Sequence, residues 1–425
     1  MRRERIESDQ AYFVERNAER PSGRRRSLAR ARALAPHLGV DLDAWRAHPE
    51  RVVTVVGSKG KGTAATFASA ALAAGGLRVG TLTSPGLRSN RERIRVDGAA
   101  IARPDYEALV DGVAATLQRV AGALPDDGYL SPSGLFTLSA LRHFADRGCD
   151  AVVLEAGMGG ASDEVSLVAP AVVVVTTVLA EHLGVLGDSV GAIAAEKAGV
   201  ITDGTRAVVV APQADPAAAA AIREAARAHG SGHHLEDGPA GRGIDDGQPS
   251  RAPGLGDLNA RLGLTAAKLL LVARGRPAPD PAALEEVLGS LRLPGRLSRH
   301  QRGDQTWIVD CATNPVAIAA ALAHAAANAG PPTSVLTFIP RHRDARPLLE
   351  ALGGQPLMAV PGGPPAGVAG AGVVMRLEAI DLDALGPRVL AVGPVYFVGE
   401  LLATLDVDCE RSFSPPSPPP GSARG

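Results

Sequence analysis

The stretch VVTVVGSKGKGT, residues Val52–Thr63, decides how the rest of the chain is read. Five residues suited to a buried strand, Val52 to Val56, run into a glycine-rich turn. An alanine-rich helical stretch follows to about Ala74. Strand, glycine loop and helix N-terminus in that order form the setting of a nucleotide phosphate site. Gly57, Gly60 and Gly62 let backbone N–H groups approach phosphate oxygens without Cβ clashes. The helix N-terminus adds partial positive charge. Lys61 is placed to reach the β/γ-phosphates, and the Thr63 hydroxyl to face Mg²⁺. Val55 stands where the first glycine of GxxxxGK[ST] belongs, so the spacing is GxxGKGT. The plain alternative is an ordinary glycine turn between strand and helix.

The chain has 425 residues, enough for two domains, and a formal net charge of -1. No global basic field points to nucleic acid, and 3% aromatics leave few platforms for stacking bases. Cys149, Cys311 and Cys409 are far apart and odd in number, which fits a reducing cytoplasm better than a disulfide framework. The charged start MRRERIESD has no apolar signal region, and no apolar run is long enough to span a membrane. The stretch from His229 to Gly256 reads as a long surface loop, with His233 and His234 as solvated histidines or a weaker metal candidate. The Ser/Pro-rich residues 412–425 read as a disordered tail.

Strand-like runs at Val52–Val56, Arg78–Thr83, Ala151–Glu155, Ala171–Thr177, Ala207–Ala211, Thr306–Asp310, Ser334–Phe338 and Val389–Val392 alternate with helical stretches. Among the latter are Phe136–Asp146, Val190–Ala198 and Pro216–Ala228. Strand–helix alternation with apolar strands predicts parallel α/β sheets covered on both faces.

Further motifs follow in order. TLTSPGL (Thr81–Leu87) ends a strand in Ser84-Pro85. RERI spans Arg91–Ile94. VVLEAGMGG (Val152–Gly160) ends a strand in Glu155. AEHLGVLG begins at Ala180, and EKAG places Lys197 in a helix. LPGRL (Leu293–Leu297) precedes IVDCATNP (Ile308–Pro315), and VGPVYFVGE runs from Val392 to Glu400. Singly, Glu155, His182, Lys197 and Arg296 also read as a strand-end carboxylate, a loop histidine, a solvated lysine and a linker charge.

Together these strings, over about residues 10 to 405, resemble the folylpolyglutamate synthase/dihydrofolate synthase family of the Mur-ligase superfamily. The resemblance implies a P-loop α/β domain over residues 1–295, a smaller Rossmann-like α/β domain over 296–411, and an active site between them. It implies ATP-dependent amide formation. A substrate carboxylate is phosphorylated, and the amino group of L-glutamate attacks the acyl phosphate. Lys61 would neutralise phosphate charge. Thr63, Ser84 and Glu155 would hold Mg²⁺ through oxygens. By the same resemblance His182 binds a second Mg²⁺ and Lys197 is the lysine that is carbamylated. Arg296, Asp310 and Asn259 hold the nucleotide, Asp310 at the ribose. The family is often monomeric.

Several family positions differ. TSPHL has Gly86 for His. The FE before Thr137 reads Ser133-Gly134. DGAHNP has Cys311 and Thr313 for Gly and His. LDH reads Ala180-Glu181-His182. Leu258 stands where His is common, and ADKD reads Arg341-His342-Arg343-Asp344. The phosphate and metal residues survive, whereas the substrate positions change. Three readings therefore stand: a folate ligase, a paralogue acting on another carboxylic acid, and a nucleotide-binding protein without ligase activity.

Overall fold

Two sheets form where the apolar runs predict them. A computed structural model describes residues 10–17, 25–235, 255–339, 346–353, 357–361, 372–373, 377 and 380–417. In the first sheet the strands are β1 (Val52–Val56), β2 (Val79–Leu82), β3 (Ile94–Val96), β4 (Ala99–Ala100), β5 (Ala151–Glu155), β6 (Val172–Val175), β7 (Ala207–Val210) and β8 (Gly232–Leu235). Their spatial order is β4-β3-β2-β5-β1-β6-β7-β8. The six strands from β2 to β8 in that order are parallel, and β3 and β4 close one edge antiparallel. Every residue of β1, β5 and β6 is buried, as strands covered on both faces require.

Helix chemistry covers the two faces differently. On one side Leu135, Phe136, Leu138 and Leu141 of the helix Pro132–Asp146 pack with Tyr12, whose ring stacks on Phe136 at 4.0 Å. On the other, the helix Lys61–Ala74 buries a run of alanines against the helix Leu255–Ala273. Small side chains allow close helix approach there, and Leu262, Leu270 and Leu271 supply the apolar bulk.

The second sheet is built from β9 (Ser298–Arg302), β10 (Gln305–Asp310), β11 (Ser334–Ile339), β12 (Leu357–Pro361), β13 (Gly372–Val373) and β14 (Arg388–Val392). Its order is β13-β12-β11-β14-β10-β9, parallel except for β9 on the edge. Trp307, fully buried, anchors one side of this smaller core.

Two expectations need correction. The stretch from His229 is not all loop: residues 232–235 add the edge strand β8, and a helix begins at Leu255. Exposed His233 and His234 lie on that edge, and residues 236–254 fall outside the described ones. Nor is residue 412 the start of disorder. Ser412 is buried, Phe413 is 1% exposed in the core beside the helix Lys61–Ala74, and the segment is ordered to residue 417. Proline abundance signalled extended backbone there, and a single aromatic supplied the anchor. Among the described residues no helix is long and apolar enough to cross a membrane.

Candidate active site

Strand order creates the site. β1 lies between β5 and β6, so the chain leaves β1 toward one side of the sheet and returns to the other. At such a switch point the loops beyond the strand carboxyl ends part into a crevice. Loops after β1, β2, β5 and β6 line a cleft of about 2180 Å³, whose opposite wall comes from the second sheet.

Gly57–Gly60 joins β1 to its helix. Gly60 has φ 87° and caps that helix. A Cβ there would stand 2.1 Å from the Asn259 side-chain nitrogen, so Asn259 lies directly against the loop. Lys61 Nζ donates to Gly57 O at 3.0 Å, and Thr63 is buried in the first turn of the helix. The expected Gly57, Gly60, Lys61, Gly62 and Thr63 all line the cleft, as does Asn259.

Glu155 ends β5 beside this loop. A Cβ at Gly62 would lie 3.4 Å from its Oε2, and that oxygen accepts from Ser84 N at 2.8 Å. The Ser84 hydroxyl in turn accepts from Arg93 at 2.9 Å. Burial pushes the Glu155 carboxyl up, opposed by Lys61, the Ser84 N–H, Arg296 and Arg93. Among the described residues no three His, Cys, Asp or Glu side chains gather to hold an ion by themselves. The oxygens that line this part of the cleft include the buried Glu155 carboxylate and the hydroxyls of Ser84 and Thr63. Hard oxygens of this kind suit Mg²⁺.

Past β6 the chain reaches Glu181 and His182. Lys197, 1% exposed, projects from the helix Val190–Ala198. Its Nζ donates to Gly57 O at 3.0 Å and to Glu181 Oε1 at 3.1 Å. Burial and neighbouring Lys61 pull the Lys197 amine below its ordinary range, while Glu181 opposes them. Burial also disfavours charge on Glu181, but Lys197, the Ser58 hydroxyl and Lys61 outweigh it and hold that carboxyl low. His182 is exposed on the cleft wall with φ 53°, and its carbonyl accepts from Val185 N and Leu186 N at 3.0 Å each.

The opposite wall carries Arg296, just after the linker, and Asp310, at the end of β10. Asp310 Oδ2 accepts from Leu297 N at 2.8 Å, which fixes the Arg296 turn against the strand end. Burial pushes Asp310 up, against Arg296 and the backbone N–H groups of Leu297 and Ala312. Desolvation works against the Arg296 charge, but Cys311, Asp310 and Glu155 outweigh it and hold the guanidinium charged. Glu155 belongs to the first sheet, so the two walls already sense each other's charge. Burial raises the Cys311 thiol to about 11 despite the adjacent Arg296. Asn314 caps the next helix through Ala317 N at 2.9 Å.

Sequence reasoning missed three groups. Glu92 accepts from Leu87 N, Arg88 N and Ser89 N at 2.8–2.9 Å and shapes the loop beyond Ser84. Its signal was present in RERI. Glu196, in EKAG, accepts from Ser162 N at 2.8 Å and from its hydroxyl at 2.6 Å. The third group had no motif. Arg26 pairs with fully buried Asp163, at 3.0 Å, and with fully buried Glu164. Arg26 also donates to Met158 O at 2.8 Å, while Asp163 accepts from Gly157 N and Met158 N. This cluster holds the turn after Glu155. Glu164 fills the space beside Gly134, where a Cβ would stand 2.1 Å from its carboxyl carbon. The changed residues Arg341, His342 and Arg343, and the retained Asp344, lie outside the described residues.

A glycine-loop sheet facing a smaller, mostly parallel sheet across one cleft defines a Mur-ligase-type protein. Residues 55–235 match the Mur ligase middle domain. The chain is 33% identical over 286 residues to a probable bifunctional folylpolyglutamate synthase/dihydropteroate synthase of Halobacterium salinarum, covering 63% of this chain and 34% of that one. It is 33% identical over 208 residues to the dihydrofolate synthase/folylpolyglutamate synthase of Bacillus subtilis, covering 48% and 45%. With the Mycobacterium tuberculosis enzyme of that name it shares 30% over 329 residues, covering 70% and 66%. The matched stretches thus span one third to just under two thirds of these relatives. The apo form of L. casei FPGS has the same fold, with a TM-score of 0.76 at 23% identity over 94% of this chain and 99% of that one. The chain belongs to the folylpolyglutamate synthase/dihydrofolate synthase family.

Proposed function

We propose that the chain is an ATP-dependent ligase that joins L-glutamate to a folate-type carboxylate, as a folylpolyglutamate synthase with dihydrofolate synthase as a companion activity. The observation that carries the reading is the convergence of Lys61 and buried Glu155 on one wall with Arg296 and Asp310 on the other. The curated relatives carry these activities in their names.

In this reading the Gly57–Gly60 loop and Asn259 seat the nucleotide. Lys61 neutralises charge on the transferred phosphoryl group, which needs alignment and charge compensation more than covalent help. Asp310 orients the ribose, and Arg296 bridges the nucleotide to the first sheet. Mg²⁺, held by Thr63, Ser84 and Glu155, would offset charge on the β/γ-phosphates. A second Mg²⁺ belongs beside His182. Lys197 Nζ pairs with Glu181 at 3.1 Å. Burial and Lys61 lower its basicity, the direction that helps an amine add to CO₂ with loss of a proton, so we assign it as the carbamylation site. The protein acts as a cytoplasmic monomer.

One observation favours a second reading. Glu164, tied to Arg26, occupies the space beside Gly134, and the same Arg26 holds Met158 O of the cleft wall. A non-folate carboxylic acid is the substrate class this points to. ADP release with ATP, Mg²⁺ and L-glutamate, measured with dihydropteroate, tetrahydrofolate, non-pterin acids and no acid, separates the two. Release requiring both glutamate and a pterin acid supports the folate ligase. Release only with other acids replaces it, and none with any acid leaves a nucleotide-binding protein.

A further inference from the structure

The chain crosses between the two sheets twice. It leaves the first domain through the linker Ser290–Leu293. After the helix Val395–Thr404 it returns as residues 405–417. This return lies past the motifs that carry the family resemblance. The two crossings run side by side and are hydrogen-bonded: Arg292 N donates to Ser412 O at 2.7 Å, and Ser414 N to Ser290 Oγ at 2.9 Å.

The return is held along its length. Arg88 donates to Val407 O at 2.6 Å, and Arg95 donates to Cys409 O at 2.7 Å and Glu410 O at 2.6 Å. Arg91 pairs with the Glu410 carboxylate at 2.7 Å. Ala100 N donates to Glu410 O, and Ser412 N to Gly98 O, so the segment lies along β4. Apolar anchors are exchanged as well. Phe413 enters the core of the first domain, while Leu87 of the first domain packs into the core of the second.

We propose that residues 405–417 are a strap that sets the angle between the domains, with Phe413 and Arg95 as positioning residues for the cleft. A single linker leaves rotation about itself open, whereas two bonded crossings with exchanged anchors restrict it. The strap also lines the cleft through Asp406, Asp408 and Arg411. Its catalytic consequence rests on the ligase reading: the Lys61 wall and the Arg296 wall must face each other within a narrow range, and small misplacements cost rate.

The test is the distance between spin labels at Ala220→Cys and Asp304→Cys, one exposed site per domain, in the full chain with Cys311→Ser. A single narrow distribution is expected. Phe413→Ala should broaden or shift it and lower turnover roughly tenfold, whereas Phe413→Leu should restore both. Should Phe413→Ala fail to fold, Arg91→Ala at a partly buried position still removes one tie, and a smaller broadening is expected. A distribution unchanged by both variants, or one that Phe413→Leu broadens as much as Phe413→Ala, overturns the strap. Absence of turnover with every acid would sink the ligase reading and leave the distance result standing on its own.

Discussion

Two parts of the site are built on different principles. At the phosphate end the geometry comes from backbone and from residues locked by it: a glycine loop against Asn259, Lys61 over Gly57 O, and Glu155 fastened to Ser84 N. Elsewhere the geometry comes from side chains: Cys311 and Thr313 on the Arg296 wall, and the Arg26–Asp163–Glu164 cluster that backs Met158 of the cleft. A backbone cradle admits few substitutions, because each altered residue displaces the loop. A side-chain wall can be rebuilt one contact at a time. The contrast teaches that the part of the site built on main chain resists substitution, whereas the part built on side chains tolerates it.

The sharpest way to break this comparison is Lys61→Ala. Turnover should fall by about a hundredfold or more, with thermal unfolding little changed. A loss under about tenfold, 1.4 kcal/mol or less on the barrier, removes Lys61 from the phosphate end. Lys197→Ala should lose roughly ten- to a hundredfold, and added short carboxylic acids should restore part of it. Full activity without rescue excludes the carbamate.

Where side chains set the geometry, the expected effects are on packing. Gly134→Ala should destabilise the first domain by about 1–3 kcal/mol, because Glu164 is pinned by Arg26 and Ser131 and cannot step aside freely. In a Glu164→Ala background the same change should cost less. Denaturant titration of the four proteins in that cycle reads the coupling, and zero coupling contradicts the steric account. The smallest effect concerns Cys311. A thiol raised to about 11 stays protonated at neutral pH. Iodoacetamide should therefore label it at a rate roughly a hundredfold below an ordinary cysteine, rising steeply with pH. Fast labelling at neutral pH would show that Arg296 outweighs burial.

Much of this was legible in the sequence because it rests on local rules. The run Val52–Val56 became β1 with the bounds its apolar pattern predicts, and the helices Val190–Ala198 and Pro216–Ala228 also ended where predicted. Lys61, Glu155, Lys197, Arg296 and Asp310 were marked by motif and meet in one cleft. What stayed hidden depends on distant partners. The edge strand β8 is held by pairing with β7, not by its own GHHL pattern. Phe413 is one apolar residue in a polar, proline-rich stretch, and only the core it enters gives it meaning. Arg26 and Glu164 are 138 positions apart, and no spacing rule joins them.

The fit between Gly134 and Glu164 also ties the two positions into one unit. With a Cβ at 134 only 2.1 Å from the Glu164 carboxyl carbon, the two positions cannot both carry outward side chains in this arrangement. A library that enlarges position 134 alone keeps that clash, whereas one that varies both positions together can relieve it.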